Sequence, residues 1–355
     1  MKAFAPLRYW VPALFALLAV YPFLPFASAL RGEQITVLFI FALLALGLNV
    51  VVGYTGLLHL GIAAFFAIGA YTVGILSVPF FPFQYSFVTS AAVAVVAAAL
   101  AGVATTAPTL RLRGDYLALV TLGFGLIALY AIRNLDAITG GTRALTPIEP
   151  GPFPGVTGQD MTPYQFGPGW GRRWYNYPYF YFVVLAAVGG AMVLLGNLER
   201  SRLGRAWVAL REDELAAACM GLNPAKLKLT AIALGGGIAG LAGALYAVAQ
   251  RTTGNPQTFD FTLSMIVVCC LILGGLGNRA GVLLGVLLLF GFDRILTPIL
   301  DDLIQEQIQS GGKSYLKVSG WRLMIFGLSL ILMMRFRPEG LLPAARTKHE
   351  LHPGE

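Results

Sequence analysis

From Gln34 to Leu110 the chain carries no Lys, Arg, Asp or Glu. An uncharged run of that length must cross a hydrocarbon core of about 30 Å several times, at about 20 residues per helix, and it holds three such helices. The remainder agrees, since 57% of the 355 residues are apolar and only 12% are charged, where an ordinary soluble domain carries about a quarter charged residues. Mean hydropathy is +0.73. The bilayer is therefore the solvent, and because irregular backbone cannot face lipid, the spans must be helical.

Apolar windows place about ten spans, near 9–30, 35–53, 61–80, 86–107, 116–133, 178–197, 228–248, 261–277, 280–298 and 321–336. The fold class expected is an all-α polytopic membrane protein, with residues 1–355 forming one transmembrane domain. Its N-terminus has the basic start and apolar body of a signal peptide. The run Val11–Leu30 exceeds a signal core, however, and further spans follow at once, so it reads as a retained first helix. Basic residues set the orientation. With the N-terminus inside, most of the 25 Lys and Arg fall on the cytoplasmic side, among them Arg200, Arg202, Arg205, Arg211, Lys226 and Lys228. Both termini are then cytoplasmic, residues 134–177 form an extracytoplasmic loop, and 198–227 and the tail 337–355 lie inside. The formal charge of +8 is the usual basic decoration of helix ends and calls for no nucleic acid.

The outer loop is crowded with Pro, Gly and aromatics and exceeds the ~15 unstructured residues that compact proteins carry without a use for them. Trp170, Trp174, Tyr175 and Tyr177 suit an interfacial anchor, while the length suits a docking rim or lid. The inner connection, 201-SRLGRAWVALREDELAAACMGLNPAKLK-228, has helical periodicity. Leu203, Ala206, Trp207 and Leu210 make one apolar stripe, Ala216 to Ala218 continue a strong helix former, and Gly221 with Pro224 stops it. A short amphipathic helix on the cytoplasmic face follows, its stripe shaped to enter a groove on another protein. The acidic run Glu212-Asp213-Glu214 argues against a helix resting on anionic headgroups, which attract basic segments instead.

Three glycines and one imidazole lie within VVGYTGLLHLGIAAF. Glycine permits a break or a close backbone approach, and freed backbone groups at membrane depth are tolerated where they line a cavity or are buried in protein. This stretch reads either as a broken helix beside a substrate path or as tight helix packing through small residues. His59 either hydrogen-bonds a substrate or serves a neighbouring carbonyl. GGLGNRAGVLLG echoes the spacing, with Gly274, Gly277 and Gly281 set much like Gly53, Gly56 and Gly61. Asp293 and Arg294 are the deepest charged pair, toward the outer end of a span where side chains can snorkel.

Other chemistry finds little footing. The tail of a phosphate loop, 311-GGKS-314, lacks its leading glycine, because residue 307 is Gln307. Cys269 and Cys270 are adjacent in an apolar run far from Cys219 and imply no disulfide framework. His349 and His352 sit in the polar tail, His59 stands alone, and no nucleophile, base and orienter assemble into a catalytic set. Neither a catalytic residue, a metal site nor a cofactor bound by this chain is expected.

The segment SRLGRAWVALREDELAAACMGLN resembles the cytoplasmic coupling loop of branched-chain amino-acid ABC permeases of the LivM-like branch, with a loose form of their "EAA…G" pattern from Glu214 through Gly221. In order along the chain, 47-GLNVVVGYTGLLHLGIAAFFAIGAY-71, 110-LRLRGDYLALVTLGFG-125, 138-ITGGTRAL-145, 274-GGLGNRAGVLLG-285 and 335-RFRPEGLL-342 resemble the same family. Three positions depart from it: His59 stands where the family has a small hydroxyl residue, Ala144 where it has glycine and Val282 where it has proline. The resemblance implies an importer subunit in the bacterial inner membrane, paired with a homologous permease, driven by two ATPase subunits that consume the ATP, and fed by an extracytoplasmic binding protein. On the glycine and imidazole pattern, a substrate path is expected past Asn49, Gly53, Tyr54, Thr55, Gly56, His59, Gly61, Gly274 and Gly277. Coupling to the ATPases falls on Arg205, Arg211, Glu212, Asp213, Glu214, Ala217 and Gly221. Leucine, isoleucine and valine are the family default, and close relatives carry urea or short amides. An ion-coupled secondary transporter is the rival reading, but it needs ionisable groups deep in the spans, and the second to fourth spans hold only His59.

Overall fold

The computed structural model describes residues 18, 20–23, 29–78, 80–82, 84–110, 115–148, 151, 179–298, 321–337 and 340–342. Most of the expected first span and of the outer loop, the GGKS stretch and the tail beyond Leu342 lie outside the described residues. Among those described, every regular element is helical. In chain order these are α1 (Ala29–Leu48), which runs on as a π turn (Asn49–Tyr54), α2 (Ile62–Ser77), α3 (Phe87–Thr106), α4 (Asp115–Asn134), α5 (Tyr179–Arg200), α6 (Arg202–Glu212), α7 (Glu214–Cys219), α8 (Pro224–Gln250), α9 (Phe261–Gly274), α10 (Arg279–Gly291) and α11 (Arg322–Phe336). Six helices are long and apolar enough to cross a membrane, and Ile62–Ser77 and Phe326–Phe336 are shorter apolar helices.

Helix starts follow local chemistry. The side chains of Ser201, Asp213, Asn223, Asp260 and Asn278 each accept a backbone N–H in the first turn of α6, α7, α8, α9 and α10 respectively, satisfying donors that a helix end leaves open. Asp213 corrects the sequence reading of one continuous helix through Ala218. In extended conformation (φ −153°), its Oδ1 accepts from the amides of Leu215 and Ala216 at 2.8 and 3.0 Å, so the charged stretch is two helices with a corner at Asp213.

Helix α8 is the central post, packed against α1, α2 and α3. Glycines permit the close contact: a β-carbon on Gly47 would lie 2.8 Å from the Gly235 carbonyl and one on Gly235 2.7 Å from that of Gly47, while one on Gly243 would overlap the Phe66 carbonyl. Without a hydrophobic force between helices in lipid, such approaches supply the packing. Helices α9 and α10 form a hairpin joined the same way, with Gly274 and Gly281 facing each other and Gly285 on the Cys270 carbonyl. Cys270 is buried and Cys269 half-buried among apolar neighbours, and both are free thiols.

The connections sort to two ends of the bundle. At one end Leu145 and Ile148 pair with Thr253 and Arg251 through backbone hydrogen bonds. At the other, the π turn meets the α9–α10 junction and the 198–227 loop. Asp293 and Arg294 occupy a second π turn, Phe292–Leu296, with 3.8 Å between their charged groups.

Candidate functional site

The site begins where α1 loses its α-helical register. Asn49 is fully buried in the π turn, and its Oδ1 accepts from the amide of Gly277 at 3.0 Å. Gly53, one turn on, leaves room for this contact, since a β-carbon there would overlap Asn49 Oδ1 and lie 2.9 Å from the Gly277 amide. After Thr55, whose hydroxyl only bonds back to the Val51 carbonyl at 2.6 Å, Gly56 takes φ +71°. That left-handed conformation, open to glycine at little cost, ends the helix.

Regular helix resumes only at Ile62, so the backbone is irregular from Gly56 to Gly61, between the expected spans 35–53 and 61–80. The backbone of the break finds partners on other helices. Leu60 N donates to Thr121 Oγ1 and Ala63 N to Ser264 Oγ, both at 3.1 Å, and Thr121 and Ser264 lie inside the apolar spans of α4 and α9. Irregular backbone at this depth is thus satisfied by protein, as lipid requires. His59 is buried against Phe65, and its Nδ1 accepts from Gly61 N at 3.3 Å. A serine or threonine hydroxyl can accept the same local N–H. Gly61 is held by close approach, because a β-carbon there would overlap the Thr121 carbonyl.

Several sequence-predicted residues converge and others do not. Asn49, Gly53, Gly56 and Gly277 meet one another and Arg211, whose Nη1 donates to the Gly53 carbonyl at 2.7 Å. Tyr54 donates to Glu199 Oε1 at 2.6 Å and stacks on Trp207 with ring centroids 6.5 Å apart. Gly274 serves the α9–α10 contact instead. Arg205 is exposed and donates to the Arg200 carbonyl at 2.9 Å. Glu214 pairs with Lys228 at 2.7 Å. Ala217 is buried, and Gly221, at φ +82°, closes α7: its N–H reaches the Ala218 carbonyl and that of Leu222 the Ala217 carbonyl, a Schellman stop.

One expectation fails in its detail. Trp207 and Leu210 do not face outward for a foreign groove. Trp207 is 1% exposed and donates to the Leu227 carbonyl at 3.0 Å, so the Trp207–Leu210 part of the α6 stripe packs on its own chain, while Leu203 stays exposed. The apolar side chains offered outward are Leu203, Leu215 and Met220, the last two beside exposed Glu212 and Asp213. A cleft of about 600 Å³ lies next to them, between Ala107, Pro108, Leu110 and Glu214, Asn223, Pro224, Ala225.

Sequence reasoning missed Glu199, Arg279 and Lys228. Arg279 forms a two-pronged pair with Glu199, at 3.0 Å from Nε and 2.9 Å from Nη2, and donates its third arm to the Met192 carbonyl. The available signal was a lone arginine among apolar residues in GGLGNRAGVLLG, since such a charge needs a partner. Among the described residues no group of three or more His, Cys, Asp or Glu could hold a metal ion.

Among the described residues, then, apolar helices long enough to cross a membrane surround an irregular segment to which the charged 198–227 loop is bonded. Residues 32–334 match the family described as branched-chain amino acid transport system, permease component, and the chain belongs to that family. It is 36% identical over 357 residues to the high-affinity branched-chain amino acid transport system permease protein LivM of Escherichia coli (strain K12), covering 98% of this chain and 77% of that protein. Against the Salmonella typhimurium (strain LT2) protein of the same name the identity is 35%, over 98% of this chain and 78% of the relative. With the probable branched-chain amino acid transport permease protein LivM of Methanocaldococcus jannaschii it is 24%, over 86% and 90%. No solved structure matches the chain.

Proposed function

We propose that this chain is the membrane-spanning subunit of an ATP-driven importer of branched-chain amino acids in the bacterial inner membrane, with both termini in the cytoplasm. Its partners are a homologous permease, two ATPase subunits that use the ATP, and an extracytoplasmic binding protein. The observation that carries the reading is the direct contact between the 198–227 loop and the broken span, through Arg211 and the Gly53 carbonyl. A partner that shifts the loop thereby acts on irregular backbone inside the membrane. Gly56 and Leu58 are exposed on this chain, so a path past the break is closed by a second permease. The ATPase seat is the α7 corner with Leu215 and Met220, beside the cleft at Ala107–Leu110.

Transport follows by alternating access: ATP favours one arrangement of the loop and its release the other, and each ligand shifts the balance only by its differential affinity for the two states. The test is purification of the chain with its neighbours, followed by uptake of labelled leucine, isoleucine, valine and urea into vesicles carrying the binding protein. Co-elution of ATPase subunits with ATP-dependent uptake of the branched amino acids is expected. Uptake driven by an ion gradient without ATPases would overturn the reading, and preference for urea would correct the substrate. An impermeant thiol reagent that labels a cysteine at position 226 from outside intact cells would overturn the orientation.

A further inference from the structure

We infer that Arg211 is a positioning residue that grips the π turn Asn49–Tyr54, so that the broken span and the α9–α10 junction move together with helix α6. This rests on the transport reading and deepens it: Arg211 works inside this chain and not as a contact to a partner.

A single side chain holds both residues that open the break. Its guanidinium takes the Gly53 carbonyl at 2.7 Å, one of the acceptors left free where a helix ends and where a cation is electrostatically favoured. Its stem runs beside Gly56, where an added β-carbon would lie 2.9 Å from Arg211 Cγ. Four residues earlier on the same face of α6, Trp207 stacks on Tyr54, the last residue of the turn, with 9° between the rings. Helix α6 thus holds the turn at two points.

The turn is fixed to other elements as well. Asn49 Oδ1 receives the Gly277 amide of the α9–α10 junction, and Tyr54 reaches Glu199, which Arg279 at the start of α10 also holds. The two glycine motifs therefore meet at one joint, although 228 positions separate Asn49 from Gly277. A π turn is a rare departure from α geometry and occurs mostly at functional positions. This one leaves a cost standing, because the buried Nδ2 of Asn49 has no hydrogen-bond partner among the described residues. A buried donor without an acceptor disfavours the arrangement that contains it.

The experiment uses the full complex in liposomes with its binding protein, and the purified chain in detergent. Arg211→Met keeps the stem and removes the guanidinium, Arg211→Lys keeps the charge, and Arg202→Gln removes a neighbouring exposed charge as the control. Loss of one charge-assisted hydrogen bond predicts that amino acid transported per ATP hydrolysed falls about tenfold in Arg211→Met. ATPase subunits should be retained at wild-type ratio, with Arg211→Lys in between and Arg202→Gln unchanged. In the purified chain, amide hydrogen exchange across residues 53–61 should quicken by about the same factor in Arg211→Met and stay unchanged in α8. Unchanged coupling ratio and unchanged exchange in Arg211→Met would overturn the inference. So would loss of the ATPase subunits with unchanged exchange, which would make Arg211 a docking contact. If the wild-type complex lacks ATPases and ATP-dependent uptake, the transport reading fails by itself, and the exchange measurement still decides the grip.

Discussion

Replacing Glu214 by Gln leaves the Lys228 ammonium inside the protein without its counter-charge, and the structure makes the two halves of this pair unequal. Their charged atoms are 2.7 Å apart, with 5% of the Lys228 side chain and 33% of the Glu214 side chain exposed. Breaking a fully buried pair costs about 3–5 kcal/mol, whereas an exposed pair contributes below about 1 kcal/mol. Because water reaches a third of Glu214 and screens the attraction, Glu214→Gln is expected to destabilise the chain by about 2 kcal/mol, between those limits. Lys228→Met should cost less than about 1 kcal/mol, since methionine fills the volume of the stem and the freed carboxylate turns toward solvent. The double variant should then match Lys228→Met alone, giving an interaction free energy equal in size to the Glu214→Gln cost, about 2 kcal/mol. Equilibrium unfolding of the purified chain in mixed micelles measures all three. A Lys228→Met cost equal to or above that of Glu214→Gln, or additive single effects, would refute the desolvation reasoning.

Two further substitutions probe backbone and packing. Ala144 has φ +60° and ψ 158°, a region costing a residue with a β-carbon about 1–3 kcal/mol. After the entropy lost by glycine on folding, Ala144→Gly should stabilise by about 1 kcal/mol, and a lowered melting temperature would contradict this. Gly243→Ala forces a methyl onto the Phe66 carbonyl between α8 and α2, whereas at Gly237 the nearest atom is a side-chain methyl of Val95 at 3.3 Å. The first should cost about 1–3 kcal/mol or more and the second far less, and equal thermal shifts would show that the close approach is not what holds these helices.

Much of the fold could be read from the chain because the signals are local. Hydropathy and the uncharged run located spans such as 35–53 and 61–80, glycine and proline marked the stop at Gly221, and of the two readings left open for VVGYTGLLHLG the structure shows irregular backbone between Thr55 and Ile62 together with close glycine contacts. The sequence reading of the 201–228 stretch was right about its helical content and its stop. It misjudged Asp213 by counting the carboxylate as surface charge when it caps a new helix. Aspartate competes with the helix for backbone donors, so the corner was readable from that residue. The partner of Trp207 was not readable, because an apolar stripe specifies burial but not which surface buries it.

What the sequence alone determined is therefore the solvent, the helical class, the family motifs and the positions where backbone must bend, each set by residues within a turn or two of one another. Only the tertiary structure decided that Asn49 bonds Gly277, that Tyr54 bonds Glu199 across 145 positions, and that Glu199 takes Arg279 across 80. Trp207 and Leu210 of the α6 stripe likewise close on their own chain, with Trp207 stacked on Tyr54. Those pairings depend on how near the helices come, which glycine contacts such as Gly47 on Gly235 and Gly243 on Phe66 fix to fractions of an ångström. Hydrogen bonds lose their strength over a similar distance, so the partners of polar groups are settled by packing between segments far apart in the chain.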